Sequence, residues 1–202
     1  MKHTWYTLTL LVSLSWAACT VDPPEPIDGE ENPVFVASIN LDSVGFIQAG
    51  VNDYYLFTRV ERPDETLVMS GAFAKTNCPD GDCPESLKFE FWNNTLENMV
   101  ELPEEIFGPF FPWQIKGIAT NPLGTVAIQW TDTKGRMLRS DWYAGFQDST
   151  YMTITASEPW ENNERGEKTW KMDVNFSCWL MDSTQTVEQR IEGTAVIAVG
   201  YR

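Results

Sequence analysis

The feature of this sequence that most constrains its fold is an alternation of apolar and polar residues between Trp170 and Leu180. The apolar series consists of Trp170, Met172, Val174, Phe176, Cys178 and Leu180. A period of two places such a series on one face of a β-strand, so the segment predicts a half-buried strand. Cys178 falls in the apolar series and is therefore expected to be a small core residue rather than a nucleophile.

Shorter segments repeat this alternation along the chain. It recurs at Leu87–Phe91, at Met152–Ala156 and from Val187 to Val199. The best helical window, Leu96–Phe107, is interrupted by Pro103 and predicts at most one or two turns. The secondary structure is therefore expected to be dominated by strands.

Turn-prone residues separate several of the strand-like segments, notably Arg62–Glu65 and Thr133–Gly135. The hairpins they predict join Tyr54–Val60 to Leu67–Lys75, and Val126–Thr131 to Arg136–Tyr143. We therefore predict one all-β domain over residues 34–202, a single β-sandwich or open barrel of roughly ten short antiparallel strands.

The N-terminus has the pattern of an export signal. Met1-Lys2 precedes an apolar stretch from Trp5 to Trp16, which ends in Ala17-Ala18-Cys19. A cysteine directly after small residues resembles the lipobox of bacterial lipoproteins. The resemblance implies that residues 1–18 are a lipoprotein signal peptide and that Cys19 is lipidated, which would anchor the mature chain in a membrane. Trp16 stands where that motif has an aliphatic residue, so ordinary cleavage after Ala17 is the alternative.

Residues 19–33 are acidic and rich in proline, a composition that favours an extended, disordered tether. Acidic residues after the lipidated cysteine are also similar to the surface-export signal of Bacteroidota lipoproteins, although a solvated linker has the same composition. No later segment reaches the roughly 18 apolar residues that a spanning helix needs. We therefore expect a lipoprotein of the outer membrane, exposed at the cell surface.

The charge and the histidine content exclude several functions. The chain has 29 acidic and 14 basic residues and a formal net charge of −15, so nucleic acid is not an expected partner. The one histidine, His3, lies in the predicted signal peptide. The mature chain therefore lacks the residue needed for Ser-His-Asp or Cys-His catalysis and for histidine metal sites.

Cys78 and Cys83 bracket a turn-prone stretch, which predicts a local disulfide. A zinc site is disfavoured because the spacing is not C-x2-C and histidine is missing. Asp80 and Asp82 leave calcium as a weak alternative, although the EF-hand pattern is incomplete. We therefore predict no metal and no cofactor.

Paired carboxylates could hydrolyse glycosides without histidine. The candidate acids are Glu90, Glu101, Glu104, Glu105, Glu158 and Glu161. None of them lies in a recognisable glycosidase signature, so the chain is predicted not to be an enzyme, and a carboxylate-based glycoside hydrolase is the less favoured alternative.

Tryptophan provides the main signal for binding. Trp92 and Trp179 occupy the polar phase of their strands, while Trp142 and Trp160 lie beside acidic or amide residues. An indole ring next to such groups suits stacking on a sugar ring, so these four residues are the predicted ligand contacts of an extracellular, non-catalytic carbohydrate-binding module. The competing interpretation is that a sheet covered on both faces buries them.

A structural role is the second hypothesis. Phe110, Phe111 and Trp113 form a bulky apolar segment interrupted by Pro112. Exposed in water, these three side chains would form a surface on which another envelope protein could dock in an assembly. Folding back onto the protein's own core is the alternative.

Three segments, at residues 49–55, 176–178 and 196–201, resemble a group of uncharacterised Bacteroidota-type surface lipoproteins. The resemblance implies an extracellular β domain after a lipoprotein signal. It implies no activity.

Overall fold

The computed structural model describes residues 35–41, 44–63, 66–78, 82–93, 103–118, 124–145, 147 and 149–201. The predictions for the signal peptide, for Cys19, for the tether and for Asp80 and Glu101 lie outside these residues. The predicted all-β fold is confirmed. The strands are β1 Val36–Leu41, β2 Val44–Gln48, β3 Tyr54–Glu61, β4 Val68–Lys75, β5 Ser86–Trp92, β6 Gln114–Ile115, β7 Thr125–Thr131, β8 Met137–Arg139, β9 Tyr151–Trp160, β10 Thr169–Asp182 and β11 Glu188–Gly200.

The strands form one sheet, in the order β2-β1-β11-β10-β8-β7-β5-β4-β3. β9 pairs with β10, and the two-residue β6 adds to β7 in parallel, whereas all other pairs are antiparallel. β10 and β11 have 14 and 13 residues, so the prediction of short strands was wrong for both. Their alternation continues without an intervening turn, and nothing in either segment ends the strand early.

The sheet curls until β3 and β4 contact β11, which makes a nearly closed, barrel-like structure. Gly71 of β4 lies against the backbone of β11. A Cβ atom at this position would overlap the carbonyl oxygen of Ala198. The close approach of the two strands therefore depends on glycine.

The core lies on the inner face of the curled sheet. The series predicted from Trp170 to Leu180 is buried there, and the Phe89 and Phe176 rings meet edge to face at 5.1 Å. Cys178 is fully buried, as predicted, and its burial raises the pKa of the thiol above its usual range. A reactive cysteine needs the opposite shift.

The predicted partner-docking segment is mostly part of this core. A single helical turn, α1 (Pro103–Ile106), precedes it, and the indole N–H of Trp113 donates a hydrogen bond to the carbonyl oxygen of Ile106 at 2.9 Å. Trp113 is only 5% exposed and Phe111 is half-buried, whereas Phe110 is 97% exposed. Trp113 therefore does not lie on a surface that a partner could contact, because its polar N–H is satisfied inside the fold.

The predicted local features are largely observed. Cys78 and Cys83 form the expected disulfide, and β3 and β4 form the first hairpin. The second hairpin is shorter than predicted: β8 ends at Arg139, because a 3-10 turn follows at Ser140–Trp142. No helix among the described residues is long and apolar enough to cross a membrane.

Candidate ligand-binding cleft

A cleft of about 360 Å³ opens between the edge strand β3 and the loop that joins β9 to β10. We call it the Trp160 cleft, after the one predicted ligand-contact tryptophan in its wall. It is lined by Phe35, Tyr55, Leu56, Phe57, Thr58, Arg59, Trp160, Glu161, Asn162, Asn163, Glu164, Arg165, Thr169 and Ala198.

Four aromatic side chains line this cleft. Trp160 ends β9, is half-buried, and meets the Phe35 ring edge to face at 5.9 Å. Tyr55 and Phe57 are two residues apart on β3, so both point away from the core, and their ring centroids are 6.3 Å apart. Tyr55 is 46% exposed. The cleft therefore presents partly exposed rings from three separate segments of the chain.

Asn163 fixes the loop that forms one side of the cleft. Its side-chain oxygen accepts hydrogen bonds from the backbone N–H groups of Arg165 and Glu167, at 3.0 and 2.9 Å. This is the local bonding pattern that makes asparagine a turn residue. Its side-chain nitrogen donates to the hydroxyl of Thr58 on β3 at 2.9 Å and to the carboxylate of Glu167 at 2.7 Å. One side chain therefore shapes the loop and attaches it to β3.

Charged groups of both signs surround the rings. Glu161, Glu164 and Arg165 are exposed in the loop. Lys171 lies 5.0 Å from the centroid of the Trp160 ring and forms an ion pair with Glu158 at 2.8 Å. Arg59 also lines the cleft, so the rings are accompanied by carboxylate acceptors, guanidinium donors and the amide of Asn162. Such a mixture can orient a polar ligand that stacks on an aromatic ring.

The structure places two of the other predicted tryptophans elsewhere. The ammonium group of Lys116 lies 3.2 Å from the centroid of the Trp92 ring and covers one of its faces. Burial lowers the pKa of Lys116, and its attraction to Asp141 only partly offsets this effect. The guanidinium of Arg139 lies 5.7 Å from the Trp142 ring. Neither ring lines the Trp160 cleft.

Arg139 belongs to a group of mostly buried polar and charged side chains on the outer face of the sheet, which we call the Arg139 cluster: Lys88, Glu90, Gln129, Arg139 and Asp141. Arg139 donates to both carboxylate oxygens of Asp141, at 2.8 and 3.0 Å, and to Glu90 and Gln129, at 2.7 Å each. Lys88 pairs with Glu90 at 2.8 Å. The contacts are internal, so the cluster links β5, β7 and β8 through side chains.

The cluster also accounts for Glu90, one of the candidate catalytic acids. Glu90 is only 7% exposed. Burial alone would raise its pKa, but Arg139 and Lys88 together hold the pKa below its ordinary value. A general acid needs a raised pKa, so the position of Glu90 does not suit that role. Glu104 and Glu105 lie on α1 and Glu158 on β9, so the described candidate acids are spread over separate elements.

Trp179 lies on the outer face of β10, opposite to Cys178 and Leu180 in the strand alternation. Its ring lies nearly parallel to that of Tyr143, with centroids 6.2 Å apart, and the guanidinium of Arg190 is 5.9 Å from it. It is thus a second half-buried aromatic position, with a tyrosine and an arginine beside it.

Sequence reasoning missed Phe35, Tyr55, Phe57 and Asn163. The sequence of β3 could have predicted two of them. Tyr55, Phe57 and Arg59 are each two residues apart, so the two aromatic side chains lie on the same outward face of the strand as the polar Arg59. The contribution of Asn163 could not be read in this way, since its partner Thr58 is 105 residues away.

Among the described residues, no group of three or more histidine, cysteine, aspartate or glutamate side chains is arranged to hold a metal ion. Asp82, which had suggested calcium, accepts a hydrogen bond from the side chain of Gln129 at 2.9 Å. Comparison with known proteins gives no match: no family model fits the chain, and neither a curated protein nor a solved structure is significantly similar to it. The function must therefore be argued from the cleft itself.

Proposed function

We propose that the protein is a non-catalytic binding module that recognises carbohydrate in the Trp160 cleft. The observation that carries the proposal is the combination, in one cleft of about 360 Å³, of four aromatic side chains with carboxylate, amide and guanidinium groups. Sugar rings have an apolar face of C–H groups and a rim of hydroxyls. An indole or phenol ring packs against the face, while polar groups bond the rim.

The rigidity of the cleft supports this proposal. Trp160 is held by its strand pairing with Thr169 and by the edge of Phe35, and the adjoining loop is tied to β3 by Asn163. A site that is formed before the ligand arrives loses less conformational entropy on binding. Weak ligands such as sugars benefit most from this preorganisation.

The location of the module is also a proposal, and it rests on the sequence. The lipobox-like Ala17-Ala18-Cys19 and the acidic segment after it support a lipid-anchored protein on the outer surface of the cell envelope. There the cleft would encounter extracellular polysaccharide. The high negative charge of the chain fits a neutral or amino sugar better than an acidic polymer.

A second candidate function is a structural subunit that docks on another envelope protein. Phe110 favours it, because this ring is 97% exposed and the nearby Pro109 and Pro112 are exposed as well. One ring offers much less area than a stable interface needs, so we rank this role second.

The proposal is tested with detergent-solubilised full-length protein on a broad glycan array, followed by calorimetry with each glycan that binds. Trp160→Ala is expected to weaken binding at least about tenfold, since an aromatic anchor commonly contributes more than 1.4 kcal/mol. Trp142→Ala is the matched control, because this residue lies outside the cleft, and it is expected to bind as the wild type does.

Thermal unfolding of both variants establishes that they are folded. Equal binding by Trp160→Ala and the wild type would contradict the proposal. An array on which the folded protein binds no glycan would also contradict it. The second candidate function would then be tested by a pull-down from envelope extract, in which a partner protein is expected to bind the wild type and not Phe110→Ala.

A further inference from the structure

The outer face of β10 connects two of the predicted ligand-contact tryptophans. Trp160 is the cross-strand partner of Thr169, so both side chains lie on this face, and Trp179 lies on the same face ten residues further along. At about 3.3 Å per residue, the two ends of this face are separated by about 33 Å. Aromatic side chains therefore mark both ends of one long strand surface.

Two further depressions lie on the surface between these ends. One, of about 380 Å³, is lined by residues of four strands, among them Ser38, Thr155, Asp173, Asn175 and Thr194. Asn175 is paired with Thr194, and Thr194 with Ser38, so these side chains stand in a row across β10, β11 and β1.

The smaller depression, of about 150 Å³, includes Glu158, Lys171 and Asp173, and it shares Asp173 with the larger one. Lys171 in turn lies 5.0 Å from the Trp160 ring. The Trp160 cleft and the two depressions therefore follow one another along the same face. The larger depression reaches Asn175, and Ser177 and Trp179 continue the outward series of β10 beyond it. We call the whole path from Trp160 to Trp179 the β10 groove.

The polar groups of the β10 groove suit hydroxyl-rich ligands. The hydroxyls of Ser38 and Thr194 and the amide of Asn175 stand about 4.8 Å apart in a row across the strands, so they extend the polar surface sideways from the middle of the groove. At the far end, Arg190 donates to the hydroxyl of Ser177 at 3.0 Å and lies beside Trp179. The groove thus has stacking rings at its ends and hydrogen-bonding groups between them.

We propose that the β10 groove binds a linear, neutral polysaccharide across several consecutive sugar units, with Trp160 and Trp179 as its end contacts. The inference rests on the proposed function, because it extends the same site. The length of about 33 Å exceeds what a single sugar can fill, and the carboxylates of Asp173 and Glu158 disfavour an acidic chain. An extended peptide is the competing occupant.

The test measures affinity as a function of chain length. Cello-, xylo-, manno- and chito-oligosaccharides of about two to six units are titrated into detergent-solubilised full-length protein, with a polyalanine-based peptide of similar length as the comparison. Affinity for the preferred series is expected to rise by about tenfold or more from the shortest to the longest member, since further units fill further contacts.

The variants separate the two ends of the groove. Asn175→Ala and Trp179→Ala are expected to weaken binding of the longest oligosaccharide about tenfold and to leave the shortest unchanged, whereas Trp160→Ala weakens both. Asn175→Ala removes only an outward-facing side chain, which keeps the test valid if Trp179→Ala unfolds. Trp142→Ala is the control outside the groove.

The outcomes distinguish this inference from the proposed function. If affinity is independent of length, or if Asn175→Ala and Trp179→Ala bind the longest oligosaccharide normally, the extended groove is refuted, while sugar binding in the Trp160 cleft stands. If no oligosaccharide binds at any length, or if only the peptide binds, both proposals are refuted.

Discussion

The Arg139 cluster permits a stability prediction that is independent of any ligand. Replacing Arg139 by methionine keeps an apolar stem of similar length but removes the guanidinium. The substitution deletes four hydrogen bonds, three of them to the carboxylates of Glu90 and Asp141. Both carboxylates belong to side chains that are mostly buried, so water cannot fully replace the lost partner.

The magnitude follows from what remains around the two carboxylates. Removing one partner of a buried ion pair commonly destabilises a protein by about 3–5 kcal/mol. Here Lys88 still lies 2.8 Å from Glu90, and Lys116 still lies 3.8 Å from Asp141. Because both carboxylates keep one cation, we expect a loss near the lower limit, about 3 kcal/mol in the free energy of unfolding at pH 7.

The loss should also depend on pH. The pKa of Glu90 in the folded protein is below its ordinary value of 4.5, so this carboxylate stabilises the fold above that pH. The stabilisation disappears as the pH falls through the folded-state pKa. Since Arg139 is the main cation that lowers this pKa, the difference between wild type and Arg139→Met should be largest at pH 7 and should shrink below pH 4.5.

Urea unfolding followed by tryptophan fluorescence at a series of pH values measures both effects. Arg136→Met is the matched control: Arg136 pairs with Asp132 at 3.0 Å, but its side chain is 45% exposed, so the cost should stay below about 1 kcal/mol. The reasoning would be refuted if Arg139→Met cost no more than this control at pH 7, or if its cost were the same at pH 7 and pH 3.

Two further predictions concern the closure of the barrel and the wall of the cleft. Gly71→Ala should lower the free energy of unfolding by about 1–3 kcal/mol, because its Cβ would overlap the Ala198 carbonyl. The control, Gly45→Ala, has open space around its Cβ and should leave the melting temperature nearly unchanged. Equal melting temperatures of the two variants would contradict this account. Asn163→Ala should accelerate amide hydrogen exchange in the loop of residues 161–168, since the link to Thr58 is lost. The control Asn162→Ala changes an exposed side chain and should leave the exchange unchanged. Unchanged exchange in Asn163→Ala would show that this link does not hold the loop.

The parts of the fold that could be predicted from sequence are those encoded by local patterns. The period-two alternation from Trp170 to Leu180 correctly assigned the six apolar residues of that segment to the buried face of β10, although Ser177, in the polar phase, is buried as well. The short spacing of Cys78 and Cys83 predicted their disulfide. Both signals depend only on residues that are close in sequence, where geometry is fixed by the strand period or the turn.

The parts that could not be predicted depend on contacts between distant segments. The curling of the sheet brings Gly71 against Ala198, a contact that no local pattern encodes. The burial of Trp113 agrees with the expected alternative of folding back onto the core, but its hydrogen bond to the carbonyl of Ile106 could not be predicted, because it depends on the turn at α1.

The cleft illustrates the same limit. Trp160 was one of four tryptophans predicted to contact a ligand, because it has acidic and amide neighbours. The contact between its loop and β3 could not be predicted from the sequence. Aromatic residues in the outward phase of β3 were a usable signal that the search for tryptophan overlooked.

The position of Phe35 has a mechanical consequence. This residue immediately precedes β1, and its ring lines the Trp160 cleft. If the chain is held from its N-terminal side while a ligand pulls on the cleft, the two opposing forces act on nearly the same point of the domain. The tension between them is then carried by the part of the sheet where β1, β11, β10 and β9 are paired, while β3, β4, β5 and β7 carry little load even when the ligand belongs to a moving surface.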